Sequence, residues 1–432
     1  MRQLSILLFS LCISCISIGR KDLTLLELEK PVPDQSLHRE IDGFWDAIKH
    51  LDYETALDQA QTEEQLQLNS AVQSMINADY SAAANTLEEL IESSSDSVLV
   101  SQSVKLLVGI YKLDFNWDGL IQLNDKLPGD IDDMNTIELV KAWDKANPES
   151  IIYPESPLIL PIEKSISGVP VVDVLVNGVP YSFWIDTGAE FTVLSSDITQ
   201  ECGVEPLTTV SSEVSTATDH KVRLAPGVIK ELRIDDLVFN NHPVFIIGKE
   251  DLEFYIFKIF RIFKIDGILG WNAIQNLHLD IDYQQEKIII SKPGFRASGD
   301  RNFHFLTQPF ITVTDTIGTP LQFFLDTGAN NTSIYTSAYA FFDTSSAEIS
   351  HAKVGGAGGW QNVKQLKFKN QSIVLGSLRI NFPTIQGQKP LGDAEEGFIL
   401  YDGILGSDVA QDGRFILDFQ NGYFDIIPGT TE

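Results

Sequence analysis

Two segments of the chain place an aspartate at the end of an apolar run and follow it with threonine and glycine. The first is WIDTGAEFTVL, in which Asp186 precedes Thr187 and Gly188. The second is FLDTGANNTSIY, in which Asp326 lies 140 residues further on. A single Asp-Thr-Gly is typical of turns, because Asp and Gly both favour turns for local reasons. Two copies after matching apolar residues instead indicate two carboxyl groups that act together.

The chemistry that such a pair can perform is acid–base catalysis of hydrolysis. Two carboxyl groups a few Å apart cannot both ionise readily, so they share one proton. The ionised group can take a proton from water, and the protonated group can give one to a carbonyl oxygen. No metal and no cofactor is required. Other chemistries have little support, because the seven histidines lack paired metal-ligand spacing and no Gly-x-Ser-x-Gly motif occurs.

The match between the two segments extends in both directions, which indicates a duplicated strand-rich unit. Upstream, PVVDVLVNGVPYSFWIDTGA aligns with PFITVTDTIGTPLQFFLDTGA. Downstream, the sequence DGILG occurs at residues 266–270 and again at 402–406, 136 residues apart. Short apolar runs bounded by turn residues are typical of strands. We therefore predict two equivalent lobes, at residues 155–293 and 300–432.

This constellation resembles the retropepsin-like (clan AA) aspartic proteases, in an exported bacterial type with two fused Asp-Thr-Gly lobes. The resemblance covers about residues 157–429 and is carried by the two Asp-Thr-Gly and the two Ile-Leu-Gly motifs. It implies an all-β bilobed acid-protease fold made of two retropepsin-like barrels. It also implies that Asp186 and Asp326 are the catalytic pair.

The resemblance implies three further sets of residues around the aspartates. One set would lock the two loops together by hydroxyl bonds and allow close backbone approach: Thr187, Gly188, Thr327 and Gly328. A second would support the loops from below as psi-loops: Ile268, Leu269, Gly270, Ile404, Leu405 and Gly406. A third would form two flaps over the substrate: Thr216, Ala217, Thr218, Gly356, Ala357, Gly358, Gly359 and Trp360. A plain glycine-rich turn is the alternative for the second flap.

Both motifs continue with alanine, at Ala189 and Ala329. Pepsin-like enzymes that act in acid usually carry Ser or Thr there, and its hydroxyl stabilises the ionised carboxylate. Without that donor the pKa of the pair should be higher. The resemblance therefore implies a weakly acidic to neutral optimum.

Residues 35–148 carry apolar residues at three- and four-residue spacing, which predicts an all-α domain. Tyr53, Tyr80 and Trp117 each precede a helical stretch, a pattern that resembles tetratricopeptide-type (TPR-like) hairpins. Such hairpins would offer a concave surface to a protein partner. The alternative is a helical cap on the next domain.

The segment IFKIFRIFK, residues 256–264, departs from the repeat. Its bases Lys258, Arg261 and Lys264 fall on one side of a helix. The alternatives are a core helix with extended bases, docking on the acidic helical domain, or contact with a membrane surface. If this helix and the helical domain restrict access to the cleft, deletion of residues 22–148 should raise cleavage.

The chain has 432 residues with 60 acids and 31 bases, a net charge of −29. This charge argues against nucleic acid as a partner. Arg2 and the apolar run at residues 4–18 predict a signal peptide at residues 1–19 and export. We expect a periplasmic or outer-membrane-associated protein, and lipid attachment at Cys15 is the alternative to a cleaved, soluble form.

These observations together predict an aspartic endopeptidase with a helical regulatory or partner-binding domain. Its substrate would be a peptide or protein. Because both aspartates lie in one chain, a monomer suffices. A non-catalytic peptide-binding protein on the same fold is the alternative, and in a third hypothesis the helical domain is the functional part.

Overall fold

The computed structural model describes residues 24–27, 39, 41–127, 134–165, 167–215, 220–256, 260–294, 301–388 and 398–429. Within them, a helical part precedes a β-rich part with barrel-like lobes, as the sequence predicted. No helix among the described residues is long and apolar enough to cross a membrane. The predicted signal peptide and Cys15 lie outside the described residues.

The helical part forms because polar caps start helices whose apolar residues then recur on one face. Its elements are α1 (Gly43–Lys49), α2 (Tyr53–Gln59), α3 (Glu63–Ile76), α4 (Tyr80–Ser93), α5 (Ser97–Leu113), α6 (Trp117–Lys126) and α7 (Met134–Asp144). The side chains of Asp52, Asp79 and Asn116 accept backbone N–H bonds at the starts of α2, α4 and α6. The three aromatic residues singled out in the sequence are therefore the first residues of helices. Consecutive helices pack on one another.

The β-rich part consists of short strands with few helical turns between them. In the first lobe these are β2 (Ser150–Ile152), β3 (Leu158–Pro161), β4 (Glu163–Lys164), β5 (Pro170–Val176), β6 (Val179–Ile185), β7 (Thr192–Ser195), α8 (Thr199–Cys202), β8 (Ser212–Ser215), β9 (Lys221–Ile234), β10 (Leu237–Ile247), β11 (Glu253–Ile256), β12 (Phe260–Lys264), β13 (Gly267–Leu269), α9 (Trp271–Ile274), β14 (His278–Asp282) and β15 (Lys287–Ser291). In the second lobe they are β16 (Phe303–Phe305), β17 (Pro309–Thr314), β18 (Pro320–Asp326), β19 (Ser333–Tyr335), β20 (Glu348–Gly356), β21 (Gly359–Leu375), β22 (Leu378–Gln388), β23 (Gly403–Gly406), β24 (Gly413–Asp418) and β25 (Tyr423–Pro428). One further strand, β1 (Thr24–Glu27), precedes the helices.

The two lobes repeat one topology, which is the structural form of the sequence duplication. The first large sheet has the order β2-β10-β7-β13-β6-β5-β9-β8, and the second has β1-β22-β19-β23-β18-β17-β21-β20. When the two strand orders are compared position by position, each strand of the first lobe corresponds to the equivalent strand of the second lobe. The exception is the first strand of each order. The outer strand is β2 in the first lobe and β1 in the second, and both come from outside the repeat. Residues 150–152 therefore extend the first sheet, although the predicted first lobe began only at residue 155.

A five-stranded sheet, β25-β24-β14-β15-β3, joins the lobes. Its central step is the antiparallel pairing of β14 with β24, in which Leu279 lies opposite Leu417. Both residues are 1% exposed. The two lobes thus share a continuous apolar core and hold the two Asp-Thr-Gly loops in a fixed relation.

The prediction of a helix at residues 256–264 is wrong. β11 and β12 pair as an antiparallel hairpin, with Glu253 opposite Lys264. Phe, Ile and Tyr at high density favour strands, and the pairing satisfies the backbone of both segments. Lys258 lies outside the described residues. Lys264 forms ion pairs of 2.8 Å with Asp197 and Asp266 inside its own lobe.

Candidate active site

The two aspartates end equivalent strands and meet between the lobes. Asp186 follows β6 directly, and Asp326 is the last residue of β18. Both side chains are buried, at 0% and 2% exposure, and their carboxyl groups are hydrogen-bonded to each other. In each loop the Oδ1 atom accepts a backbone N–H bond of 2.9 Å, from Gly188 in the first lobe and Ala329 in the second. The structure therefore brings the two sequence-predicted carboxyl groups together.

Burial and the charge of Asp186 raise the pKa of Asp326 well above the usual range of a carboxyl group. The largest cause is loss of solvent, followed by repulsion from the neighbouring carboxylate and the hydrogen bond between them. Backbone N–H groups of Gly328 and Ala329 act in the opposite direction. The buried pair therefore holds its shared proton more strongly than an isolated carboxyl group would.

The threonines of the two loops exchange four hydrogen bonds across the lobe interface. The Thr187 hydroxyl donates to the Leu325 carbonyl at 2.8 Å, and the Thr327 hydroxyl donates to the Ile185 carbonyl at 2.9 Å. Each hydroxyl also accepts the backbone N–H of the other threonine at 3.0 Å. Both threonines are at most 1% exposed. The bonds expected from the resemblance are present, and they fix the aspartates relative to each other.

The two Ile-Leu-Gly segments lie directly beside the aspartate strands. β13 runs parallel to β6, with Ile268 opposite Trp184 and Leu269 opposite Ile185. The Asp186 N–H donates to the Leu269 carbonyl at 3.1 Å. In the second lobe β23 runs parallel to β18 in the same register, with Ile404 and Leu405 in the equivalent places.

Gly270 and Gly406 end these segments at points of close backbone approach. A Cβ atom at Gly270 would lie 2.3 Å from the carbonyl carbon of Phe191, and one at Gly406 would lie 2.8 Å from that of Asn331. Only glycine fits such a contact without movement of the backbone. The glycines therefore let each support segment pack against the loop that follows its aspartate.

Sequence reasoning missed a second pair of threonines, Thr192 and Thr332, which tie each aspartate loop to its support. Their hydroxyls accept the N–H groups of Gly270 and Gly406 at 3.3 and 3.1 Å. The hydroxyl of Thr192 donates to the side chain of Asn272 at 2.9 Å, and that of Thr332 donates to Asp408 at 2.6 Å. The repeat contained a signal for them, since both follow their aspartate by six positions.

A buried histidine completes this network in the first lobe. His242 is 0% exposed, and its Nε2 lies 2.7 Å from the Thr192 hydroxyl while its Nδ1 contacts the Glu149 carboxylate. The Thr192 hydroxyl gives its proton to Asn272, so it accepts from His242. This carboxylate–imidazole–hydroxyl series resembles that of a nucleophilic hydrolase. The Thr192 hydroxyl is buried and donates its proton to Asn272, so it is not available as a nucleophile. The three groups therefore stabilise the aspartate loop.

The second predicted flap is a β-hairpin. β20 and β21 pair up to Gly356 opposite Gly359, which leaves Ala357 and Gly358 as the turn. The N–H of Gly358 donates to the Asp251 carbonyl of the first lobe at 3.0 Å, and Ala357 is fully buried. The hairpin tip therefore reaches across from one lobe to the other. Trp360 is partly buried and lies opposite Gly355.

The first predicted flap is described only at its base. β8 and β9 pair antiparallel with Ser215 opposite Lys221. Thr216, Ala217 and Thr218 lie outside the described residues.

Comparison with known proteins finds one matching family model in the first lobe. Residues 172–276 match the family model described as gag-polyprotein putative aspartyl protease. No curated protein matches the chain. The matched residues include Asp186 and the first Ile-Leu-Gly segment.

Solved structures with similarity to this chain include the following three. A retropepsin-like aspartic protease from Rickettsia conorii shares 20% identity, covering 34% of this chain and 95% of its own, with a TM-score of 0.22. An aspartic proteinase from Irpex lacteus shares 13% identity, covering 62% and 96%, with a TM-score of 0.41. Basic 7S globulin from soybean shares 10% identity, covering 63% and 94%, with a TM-score of 0.37.

The family match covers the first lobe, and the second lobe repeats that lobe in both sequence and topology. Each lobe contributes one aspartate, one interlocking threonine and one glycine-ended support segment to the same buried centre. The predicted resemblance is therefore confirmed for the first lobe, where residues 172–276 match the aspartyl protease family model, and the second lobe repeats the topology of the first.

Proposed function

We propose that the chain is an aspartic endopeptidase that hydrolyses peptide bonds with Asp186 and Asp326. The observation that carries this proposal is the pair of buried, mutually hydrogen-bonded carboxyl groups, held in register by four threonine bonds. A protein that only binds peptides has no need of a proton-sharing pair, because two buried acids repel each other and cost stability.

We assign the protonated role to Asp326, because burial and the neighbouring carboxylate raise its pKa. Asp326 holds the proton and hydrogen-bonds the carbonyl oxygen of the scissile peptide. Asp186 is ionised and takes a proton from the attacking water, which adds to the carbonyl carbon. As Asp326 gives its proton to the carbonyl oxygen, a neutral tetrahedral diol forms. Asp186 then passes its proton to the nitrogen of the leaving amine, Asp326 recovers a proton from the diol, and the C–N bond breaks.

The flap hairpin supplies the remaining requirement, which is exclusion of water from the reacting centre. The tip at Ala357 and Gly358 contacts the first lobe at Asp251. A peptide entering between the lobes has to displace this contact and can then be covered by the same hairpin. Glycines at residues 355, 356, 358 and 359 permit both positions, since glycine adopts conformations that other residues do not.

The test is cleavage of an unfolded protein between pH 3 and 8 by the wild type and by Asp326→Asn. We expect the wild type to cleave and the variant to lose at least about 1,000-fold in kcat, because the proton donor to the carbonyl oxygen is gone. Asp173→Asn is a matched control, since Asp173 is an exposed carboxylate bonded to Ser182 on the sheet surface.

The alternative function, peptide binding without catalysis, predicts a different result. Neither protein would cleave, whereas both would bind an unfolded peptide. Asp326→Asn would then be more resistant to unfolding than the wild type, because it removes a buried acid from a repulsive pair. Cleavage by the wild type that persists in Asp326→Asn would contradict the endopeptidase proposal directly.

We propose that the helical part regulates the β-rich part or recruits a partner to it. Trp143 of α7 packs on Phe191 and Phe245 of the first lobe, at ring centroid distances of 5.1 and 4.8 Å. Because deletion of residues 22–148 would expose these rings, it should lower cleavage through loss of folding. This expected loss of cleavage is opposite to the increase that the sequence predicted. If the truncated protein folds and cleaves faster than the full chain, the helices restrict access to the cleft.

A further inference from the structure

Helix α5 touches both lobes beside the catalytic centre. Its Gly109 approaches the second lobe so closely that a Cβ atom there would lie 2.4 Å from the Leu306 carbonyl oxygen. One turn later, the Leu113 carbonyl accepts a bond of 3.1 Å from the Gln275 side chain of the first lobe. Between these two contacts, Lys112 forms an ion pair with Glu190. The helical part therefore holds a charged contact with the loop that starts at Asp186.

Glu190 is four residues after Asp186 and ends the first Asp-Thr-Gly loop. Its backbone carbonyl accepts the Asn272 N–H at 3.1 Å, and the Ala189 carbonyl accepts the Trp271 N–H at 2.7 Å. The Ala189 N–H in turn donates to the carbonyl of Asp186 at 3.3 Å. Movement of Glu190 would thus be transmitted to Asp186 through one short, hydrogen-bonded turn.

The ion pair is buried on both sides. The side chains of Lys112 and Glu190 are only 9% and 13% exposed. Water screens such a pair weakly, so its geometry is held more strongly than that of a surface pair. The second loop has Asn330 at the equivalent position, which cannot form an ion pair with a cation.

A second contact attaches the same helical part to the same loop. Trp143 stacks on Phe191, the residue after Glu190, with an angle of 16° between the ring planes. The indole N–H of Trp143 donates to the Gly227 carbonyl on β9 at 2.9 Å. The ion pair and the stacked rings thus fix two neighbouring residues of the loop from outside the protease fold.

We propose that Lys112 is a positioning residue for Asp186, which it holds through the carboxylate of Glu190. The helical part then completes the first of the two aspartate loops. This inference rests on the proposed endopeptidase function for its kinetic consequence. Its structural consequence, a loosened first loop, is independent of catalysis.

The test uses the full chain with Lys112→Met, and with Lys126→Met as the matched control. Lys126 is also on a helix of this part, but its ion pair with Glu92 is 59% and 63% exposed and lies away from the lobes. We expect Lys112→Met to lower kcat by at least about tenfold with little change in KM, because a misplaced catalytic group costs rate and not substrate contacts. Lys126→Met should match the wild type.

Two further measurements separate positioning from a general loss of stability. Amide hydrogen exchange should accelerate by about fivefold or more at residues 186–190 of Lys112→Met, and stay unchanged at residues 326–330. The charge reversal Lys112→Glu with Glu190→Lys should recover most of the kcat that Lys112→Glu alone loses. If Lys112→Met does not fold, Glu190→Gln is used in its place, since it removes one charge and keeps a hydrogen-bond acceptor.

A folded Lys112→Met with the kcat and the loop exchange of Lys126→Met would overturn the proposal. Equal acceleration of exchange in both loops would also overturn it, because the effect would then be global. A wild type that cleaves nothing would count against the endopeptidase function. In that case the exchange measurement alone would decide whether Lys112 holds the loop.

Discussion

The threonine lock permits a prediction whose magnitude follows from the hydrogen bonds that one substitution breaks. Thr187→Val keeps the shape of the side chain and removes its hydroxyl. The Leu325 carbonyl then loses a donor at 2.8 Å, and the Thr327 N–H loses an acceptor at 3.0 Å. Both groups are buried at the lobe interface. A buried polar group without a partner costs about 1–3 kcal/mol, so the two together should lower the free energy of unfolding by about 2–6 kcal/mol.

Thr187→Ser is the control, because it keeps the hydroxyl and removes only a methyl group, worth about 1 kcal/mol. The assay is unfolding in urea, followed by intrinsic tryptophan fluorescence. Thr327→Val should lower the free energy of unfolding by as much as Thr187→Val does. The Thr327 hydroxyl makes the two equivalent bonds, since it donates to the Ile185 carbonyl and accepts the Thr187 N–H. If the free energies of unfolding of Thr187→Val and Thr187→Ser differ by less than about 0.5 kcal/mol, the reasoning is refuted. The hydrogen bonds of the threonine hydroxyl would then contribute no net stability.

The aspartate pair and the residues around it lead to three further predictions. In the proposed reaction Asp326 is protonated and Asp186 is ionised, so kcat should fall as pH rises through the raised pKa of Asp326, and an optimum near pH 3 would contradict the weakly acidic to neutral range. Ala329→Ser adds a hydroxyl donor beside the carboxylate and should move the alkaline limb of that profile towards acid by about one pH unit, measured as kcat against pH. Gly270→Ala forces a Cβ to within 2.3 Å of the Phe191 backbone, so its unfolding midpoint in urea should drop well below that of the wild type.

The sequence alone was enough to predict those residues of the site that belong to duplicated motifs. Asp186 and Asp326, their threonines and the Ile-Leu-Gly supports were identifiable because each motif recurs at a nearly constant offset, and duplication implies equivalent places in two lobes. The repeat predicted two equivalent lobes, and the family resemblance implied their barrel fold. Thr192 and Thr332 carried the same kind of signal.

Contacts between distant, unrepeated residues were beyond sequence reasoning. Lys112 is one of 31 basic residues, and nothing in its surroundings indicates that it meets Glu190, 78 positions later. The pair of Glu149 and His242 is separated by 93 positions and has no counterpart in the repeat. Such pairs are created by the way the helical part docks, which the pattern of each part alone does not encode.

The prediction of a helix at residues 256–264 failed for a physical reason. Three bases at three-residue spacing satisfy the helical period, but the same residues alternate with Phe and Ile closely enough to suit a strand. Pairing of β11 with β12 decided the outcome, because it satisfies both backbones at once. Tertiary context overrides such ambiguous periodicity in short segments.

The strand at the start of the chain has a consequence for the order in which the protein folds. β1 borders the second lobe's sheet, where Leu25 lies opposite Ile380, and Arg39 forms a 2.7 Å ion pair with the buried Asp402. Each contact joins residues more than 350 positions apart, so neither forms until its partner in the second lobe, Ile380 or Asp402, has been synthesised. Contacts of such long range slow folding. Residues 24–27 and Arg39 are therefore among the last of the described residues to reach their native contacts.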